Sequence, residues 1–334
     1  IAENEAAVAA ICRRLDGLPL AIELAATHIR LLPPPALLRR LAKRLDLLTG
    51  GARDLPARLQ TLRATLDWSY DLLSAHERRV FARLGVFAGG AGLNAIEAVC
   101  GEGGRRSVTA NVSALVEQSL VRRFVDGEGE PRLAMLETVR EYALEQLAAG
   151  GEETGTRDRH AAYYLRFAEE AAPHLRGPEQ VRWLDRLEAE HDNLRAAQDW
   201  LHTAGRAEEE LRLTAALHWF WDRRGYLAEG RARIQTALDA AATVPEPGDV
   251  LLRARAWTLI GGAALAFDQG DQAAVSPLAE ESAALFRRLG DEAGLAMALL
   301  RLAFAAGAAD PQQAGELLQA AQRHARTAGD PWFV

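Results

Sequence analysis

Residues 219–226 (WFWDRRGY) combine aromatic rings with arginines, a pairing that suits a groove for a sugar, a peptide or a metabolite. Trp257, on a later helical stretch, could line the same groove. The candidate ligand-groove residues are Trp219, Trp221, Arg223, Arg224, Tyr226 and Trp257. Consecutive aromatic residues on a helix point in different directions, so at least one of the three belongs in the core. For each tryptophan, packing is the simpler explanation and ligand contact the alternative.

Residue types that catalyse reactions or bind metals are present, but they lack the required spacing. Glu190, His191 and Asp192 have no second metal ligand one helical turn away. Ser69 lacks the Gly-x-Ser-x-Gly surroundings of a nucleophile. The glycine-rich residues 101–107 precede a helix but contain no lysine and follow no strand, so they favour a plain loop over an anion site. We therefore predict no catalytic residue, no metal site and no enzyme activity in this chain.

Length and composition are those of a globular protein with two or three domains. The chain has 334 residues, of which 49% are hydrophobic, 25% charged and only 6% aromatic, and this favours packed helices. No signal-peptide pattern opens the chain and no apolar run approaches the roughly 20 residues that span a bilayer. We expect a cytoplasmic protein without membrane contact. Residues 151–334 hold 20 basic and 28 acidic side chains, a poor surface for nucleic-acid phosphates.

Turn residues and helical periodicity separate the first half of the chain into two domains. Residues 1–54 contain three short helical patterns. Residues 55–149 predict three helical segments, a β-hairpin and a last helix, which is a winged-helix pattern. Within them, Ser74 and Glu77 have the spacing of a capping box. The dipeptide at 126–127, Asp-Gly, predicts the hairpin turn between strands at 120–125 and 132–136.

The second half predicts stacked pairs of helices. The glycine-rich residues 150–156 predict a linker, and residues 157–334 predict tetratricopeptide-like repeats. A shift of 39 residues superimposes Asp271 on Asp310 and Gly290 on Gly329. The predicted fold class is therefore mainly α, with a winged helix, one short hairpin and a tetratricopeptide-type α-solenoid.

Three sequence blocks, taken together and in order, resemble a known family. They are residues 15–26 (LDGLPLAIELAA), residues 66–74 (LDWSYDLLS) with 86–90 (VFAGG) and 135–143 (MLETVREYA), and residues 190–197 (EHDNLRAA). They are similar to the STAND-class, NB-ARC-like signalling ATPases of bacteria, particularly the LuxR-type and SARP-type transcriptional regulators. The resemblance implies that residues 1–54 are part of an ARC-like helical subdomain.

In that family ADP locks a nucleotide-binding core against the helical subdomain and the winged helix, and a signal on the repeats together with ATP releases the lock. The resemblance implies that the turn Gly17, Leu18, Pro19 and Leu20 lies against the nucleotide, with Pro19 in contact. It also makes Met135, Leu136 and Glu137 the equivalent of a Met-His-Asp sensor. Leu136 departs from that motif because it has no polar atom to hydrogen-bond a phosphate.

A phosphate-binding loop of the form Gly-x-x-x-x-Gly-Lys-[Ser/Thr] does not occur, and the chain's one lysine is Lys43. The chain therefore predicts the regulatory portion of a longer protein. We expect no cofactor in this portion, ATP or ADP in the parent protein, and the absent nucleotide-binding domain as a partner.

The winged helix raises the possibility of direct DNA binding. The second helix of such a motif should present basic or amide side chains to DNA, but residues 107–118 offer Asn111 and Gln118 and no basic residue. The one basic cluster, on the hairpin, is Arg122, Arg123 and Arg132. We therefore expect no direct nucleic-acid contact. The favoured function is signal sensing and autoinhibition, with a small molecule or a protein bound on the repeats and self-association possible; the alternative is a protein-binding adaptor.

Overall fold

The computed structural model describes residues 2–15, 32–40, 62–101, 105–125, 129–307 and 309–329, with single positions between 22 and 29. The chain divides into two compact units, Ile1–His160 and Ala161–Val334. Helices dominate the described part of both units, so the predicted mainly α fold class is confirmed.

Among its described residues, the elements of the first unit are helices that alternate with three very short strands. They are α1 (Ala2–Arg14), α2 (Pro34–Arg40), α3 (Leu62–Asp71), α4 (Ala75–Leu84), β1 (Ala91–Gly92), α5 (Leu93–Cys100), α6 (Arg105–Glu117), β2 (Arg122–Val125), β3 (Pro131–Ala134) and α7 (Glu137–Ala149). Helix α4 lies centrally, because it contacts α5, α6 and α7. This order of helices and strands is the winged-helix arrangement that the sequence predicted.

Helix α4 begins where its sequence dictates. The Glu77 backbone N–H donates to Ser74 Oγ at 3.3 Å, and the Ser74 N–H donates to Glu77 Oε2 at 2.7 Å. These two bonds form the predicted capping box and occupy N–H groups that the first helical turn cannot pair internally. The buried end of the helix carries Phe81, whose ring packs 5.6 Å from Tyr70 and 6.2 Å from Tyr142.

The sequence predicted a two-stranded hairpin, whereas the structure has a three-stranded antiparallel sheet in this part of the chain. The strand order is β1-β3-β2, with Ala91 opposite Leu133 and Arg123 opposite Leu133 on the other side. Strand β1 has only two residues and therefore shows no alternation that periodicity could detect. Arg132 is buried and donates to the Gly90 carbonyl at 3.1 Å, so it fastens the sheet to the loop before β1.

The predicted linker at 150–156 is shorter in the structure. Gly151 turns the chain with a φ of +71°, and α8 (Glu153–Ala171) then begins. Glu153 supports this start because it accepts a hydrogen bond from Arg157 one turn later, at 2.9 Å. Thr156 is fully buried, which a linker residue would not be. The division between the two units falls inside α8.

The second unit consists of helices that pack in sequential pairs. After the end of α8 and a 3₁₀ turn (Ala172–Arg176) come α9 (Gln180–Ala189), α10 (His191–Thr203), α11 (Ala207–Arg224), α12 (Leu227–Ala242), α13 (Asp249–Asp268), α14 (Gln272–Leu289), α15 (Glu292–Ala306) and α16 (Pro311–Ala328). Each helix from α11 onward contacts the next one. In addition, α11 packs on α13, and α13 packs on α15.

The 39-residue repeat of the sequence is visible in the helix ends. Helices α14 and α16 follow Asp271 and Asp310, and each has 18 residues. Their C-terminal glycines, Gly290 and Gly329, have φ values of +64° and +68°, the left-handed conformation that ends a helix at little cost only for glycine. The repeated residues therefore place the two helix starts at equivalent positions and repeat the same stop, although only Asp310 caps its helix through its side chain, which accepts the Gln313 N–H at 3.0 Å.

Helix α13 is long and apolar enough to cross a membrane, but 72% of its apolar window is buried inside the protein. Its buried side chains and glycines contact α11, α12 and α14. It is therefore packed as a core helix of the repeats.

Candidate functional site

A groove of about 400 Å³ lies within the second unit, between the end of α8, the 3₁₀ turn, the middle of α11 and the start of α13. Its volume is in the range of about 300 to 1,000 Å³ that small-molecule sites occupy. The lining residues are Glu169, Ala172, Pro173, Arg176, Arg212, Ala215, Ala216, His218, Trp219, Val250, Arg253, Ala254 and Trp257.

Two tryptophans form the aromatic part of this lining. Trp219 is only 7% exposed, and the guanidinium carbons of Arg223 and Arg301 lie 5.3 and 5.7 Å from its ring centroid. Trp257 packs edge-to-face on Phe286, with ring centroids 5.2 Å apart. Because both rings are fixed by neighbours, they provide firm apolar surfaces.

Three arginines and one carboxylate supply the charges of the lining. Arg212 forms a two-pronged ion pair with Glu169, with N–O distances of 2.8 and 3.0 Å. Arg253 lies 3.4 Å from Asp291 and is half exposed at the rim. Arg176 Nη1 lies 3.9 Å from Met297 Sδ. The lining side chains therefore carry an excess of positive charge.

His218 is the buried polar residue of the groove. Its Nδ1 lies 2.6 Å from the Ala215 carbonyl, which requires a proton on Nδ1, and its Nε2 makes no hydrogen bond within the described part of the chain. Burial and, to a lesser extent, the positive charges of Arg301 and Arg176 lower the pKa of His218 to about 4, although the hydrogen bond to the Ala215 carbonyl raises this pKa. The ring is therefore neutral at physiological pH and adds no charge to the lining.

The predicted groove residues do not form one site. The structure brings together only Trp219 and Trp257, with Arg223 stacked behind Trp219. Trp221 is 1% exposed, and its ring lies 3.0 Å from where a Cβ would stand on Gly230 of α12. Placing Trp221 in the groove was wrong because two residues along a helix rotate a side chain by roughly 200°.

Arg224 and Tyr226 also lie away from the groove. Arg224 forms an ion pair with Asp185 of α9, and the Tyr226 hydroxyl donates to Glu188 at 2.6 Å. Both residues therefore fasten α11 and the following turn to α9.

Sequence reasoning missed Arg212, Arg253, Arg176 and His218. A detectable signal was present for the first two: Arg212 lies seven residues before Trp219, and Arg253 four before Trp257. Both spacings put an arginine and a tryptophan on one helix face. The position of the 3₁₀ turn beside α11 depends on tertiary packing and has no comparable pattern.

Residues 73–148 match the family model of the winged helix-turn-helix domain. The chain carries a winged helix-turn-helix domain. It is also 36% identical, over 99% of its length, to a Mycobacterium tuberculosis protein named "Putative HTH-type transcriptional regulator Rv0890c". It is 38% identical over 54% of its length to the Mycobacterium tuberculosis protein Rv0894.

These comparisons agree with the class to which the sequence motifs were assigned, bacterial regulators with a winged helix, and they support a regulatory or signalling role. The chain spans 38% of the length of Rv0890c. A crystal structure of a STAND protein with a tetratricopeptide repeat sensor, PH0952 from Pyrococcus horikoshii, aligns with 94% of this chain and 54% of its own, at 13% identity and a TM-score of 0.34. That likeness is too distant to define the fold.

The basic cluster of the hairpin, Arg122, Arg123 and Arg132, is divided between solvent and core. Arg122 and Arg123 are exposed on β2, but Arg132 is buried and bonded to Gly90. Arg132 lies on β3, the central strand of the sheet, so two of the three arginines of this cluster are exposed. Helix α6 begins at Arg105, two residues before the predicted start, so its first turn includes two arginines.

The residues in the sensor-equivalent position lie at the junction of β3 and α7: Met135 and Leu136 connect the two elements, and Glu137 is the first residue of α7. Leu136 precedes the first residue of α7, and Glu137 forms hydrogen bonds of 2.9 and 2.6 Å with Arg140. Met135 is half-buried. The turn Gly17, Leu18, Pro19 and Leu20 lies outside the described residues, so its contact with a nucleotide stays a prediction.

Proposed function

We propose that the chain is the regulatory and sensor portion of a STAND-type signal-transduction ATPase that controls transcription. In this proposal a signal molecule binds in the groove of the second unit, and the winged-helix domain controls autoinhibition and oligomerisation. ATP or ADP would bind to a nucleotide-binding domain elsewhere in the parent protein, which would act in the cytoplasm. No catalytic role is proposed for this chain.

The groove itself is the observation that carries the proposal. Its volume of about 400 Å³ suits a small molecule, and two fixed tryptophans supply the apolar contacts that such ligands use. Val250 and Arg253 are exposed at the rim, so a ligand can enter from solvent. A peptide would need a longer open surface, which makes the adaptor function the second choice.

The winged-helix domain is proposed to pack against protein rather than DNA. Residues 55–149 hold 11 arginines and 12 acidic residues, and Glu117 would oppose phosphate at the end of α6. Nucleic-acid binding modules concentrate basic charge on one face, which this balance does not favour.

A ligand screen with matched blocking variants tests the proposal. Thermal shifts of the chain would be measured against sugars, peptides and metabolites, with duplex DNA in the same series. Val250→Trp should fill the groove mouth and abolish a true hit, whereas Val181→Trp, at a residue 69% exposed on α9, should not. Hits that survive Val250→Trp would overturn the groove as the signal site. Binding of duplex DNA that weakens on replacing Arg122 and Arg123 with glutamine would overturn the assignment of the winged helix.

A further inference from the structure

Arg301, on α15, is a half-buried arginine whose N–H groups meet no acceptor in the described part of the chain. Its Nε atom is buried and makes no hydrogen bond, and no carboxylate oxygen of the described residues lies within ion-pair distance of its guanidinium group. The guanidinium carbon lies 5.7 Å from the ring centroid of Trp219. Buried charges and buried donors are normally paired in proteins, so this arginine requires a physical explanation.

Asp268, at the end of α13, is a carboxylate close to this cation. No basic side chain of the described residues lies within ion-pair distance of Asp268, whose carboxyl group hydrogen-bonds that of Asp222 on α11. Burial lowers the pKa of Arg301, and the charges of Asp222 and Asp268 oppose this shift. The two carboxyl groups are therefore near enough to act on Arg301 electrostatically, yet a gap separates them from its guanidinium group.

The four charged groups around this gap balance each other. Arg223 lies 5.3 Å from the ring centroid of Trp219 and 3.7 Å from Asp222, and it adds a second positive charge beside Arg301. Two arginines and two aspartates carry no net charge when all are ionised. An anion alone would approach two carboxylates, and a cation alone would approach two guanidinium groups. A ligand with one charge of each sign keeps the balance and supplies both missing partners.

An exposed aromatic surface borders the same gap. Phe304 lies one turn after Arg301 on α15 and is 43% exposed. Its ring centroid lies 5.9 Å from that of Phe267, which directly precedes Asp268 in the chain. An apolar group therefore has a contact surface beside both charged residues.

We infer that the gap between Arg301 and the pair Asp222 and Asp268 binds an apolar α-amino acid in its zwitterionic form. The carboxylate accepts hydrogen bonds from Arg301, because the guanidinium fork matches its geometry. The ammonium group donates to Asp222 and Asp268, since two adjacent carboxylates attract a cation. The apolar side chain packs on Phe304 and Phe267. None of these five residues lines the groove, so this site is additional to the proposed signal site.

Three ligands that differ only in their charged groups test the inference. L-phenylalanine carries both groups, 3-phenylpropionate lacks the ammonium group, and 2-phenylethylamine lacks the carboxylate. Isothermal titration calorimetry of the whole chain at neutral pH would compare their dissociation constants. We expect L-phenylalanine to bind about tenfold to hundredfold more tightly than either analogue, the gain of one charge-assisted hydrogen bond.

Substitutions on each side of the gap test the two charges separately. Arg301→Met should weaken binding of L-phenylalanine about tenfold or more, and urea unfolding should show it as stable as the parent protein, because the guanidinium group makes no hydrogen bond within the described residues. Asp268→Asn, at an exposed position, should weaken L-phenylalanine similarly and leave 3-phenylpropionate unchanged. The matched controls Arg287→Met and Glu280→Gln, at exposed positions on α14, should have no effect.

This site and the groove fail separately. Val250→Trp, which fills the groove mouth, should leave binding of L-phenylalanine unchanged, and a loss of binding in that variant would overturn the site at Arg301. Equal affinity for the three ligands, unchanged binding in Arg301→Met, or no binding of L-phenylalanine at about 10 mM would also overturn it. Selective loss of L-phenylalanine in Arg301→Met and Asp268→Asn, with both controls unchanged, supports it.

Discussion

Replacing Gly261 by alanine should destabilise the repeats, because this glycine lies where α13 crosses α11. A Cβ at this position would stand 2.6 Å from the Cβ and 3.1 Å from the Cγ of His218. Ordinary contacts begin at 3.4 Å, so the helices must separate by about 0.8 Å. The atom in the way is a Cβ, which cannot swing aside as the end of a flexible side chain can.

The expected cost follows from two opposing effects. Overpacking a closed core costs about 1 to 3 kcal/mol. Alanine regains about 1 kcal/mol over glycine inside a helix. Because the overlap is large and the blocking Cβ cannot move aside, the overpacking cost should fall in the upper part of its range, about 2 to 3 kcal/mol. After the gain in helix propensity, Gly261→Ala should lower the free energy of unfolding by about 1 to 2 kcal/mol.

Urea unfolding followed by tryptophan fluorescence measures this change in the second compact unit, which contains α11 and α13. Six of the seven tryptophans belong to residues 161–334, so the signal reports mainly on the repeats. Gly315→Ala is the matched control, since Gly315 lies inside α16 and a Cβ there would meet nothing within 4 Å. The control should gain about 0.5 to 1 kcal/mol of stability. If Gly261→Ala is as stable as the parent protein, or gains stability as Gly315→Ala should, the close-approach argument is refuted.

Two further predictions concern pH and helix capping. The unfolded chain protonates His218 below pH 6.5 and the native protein only near pH 4, so acid favours the unfolded state between these values. From pH 7 to pH 4.5, the free energy of unfolding should therefore fall by about 2 to 3 kcal/mol more in the parent protein than in His218→Gln. Urea unfolding at both pH values measures these two changes. Ser74→Ala should cost about 1 kcal/mol by removing the cap of α4, and amide hydrogen exchange in Ala75–Leu84 should quicken.

Each of these predictions has a control within the chain. Burial and the neighbouring Asp268 raise the pKa of Asp222 to about 6. Protonation of Asp222 in acid therefore opposes the destabilising effect of His218, but Asp222 is present in both proteins compared. Identical pH slopes for the parent and His218→Gln would show that His218 titrates normally. Ser74→Asp should retain the cap and the slow exchange, because an aspartate also accepts the N–H of Glu77. Equal exchange in Ser74→Ala and Ser74→Asp would contradict the capping role.

The fold was largely predictable because its main signals are local. The capping box at Ser74 and the paired stops at Gly290 and Gly329 depend on residues a few positions apart. Strand β1 was not predicted because two residues cannot show a period of alternation. In addition, Leu133, the pairing partner of Ala91, lies more than 40 residues away. The burial of Arg132, one of the three arginines of the basic cluster, depends on the same distant pairing.

The groove was only partly predictable because it depends on which helices cross and how closely. Periodicity gives the face of a helix on which Trp219 or Trp257 lies, but not the neighbour that this face meets. That neighbour is set by contacts 43 residues apart, namely Arg212 with Glu169 and Gly261 with His218. The glycine allows α13 to approach α11, and the approach brings both tryptophans and the arginines onto one lining. Gly261, which has no side chain, is therefore as necessary for the groove as Trp219 and Trp257. Replacing Gly261 should disturb both the stability of the repeats and the shape of the groove.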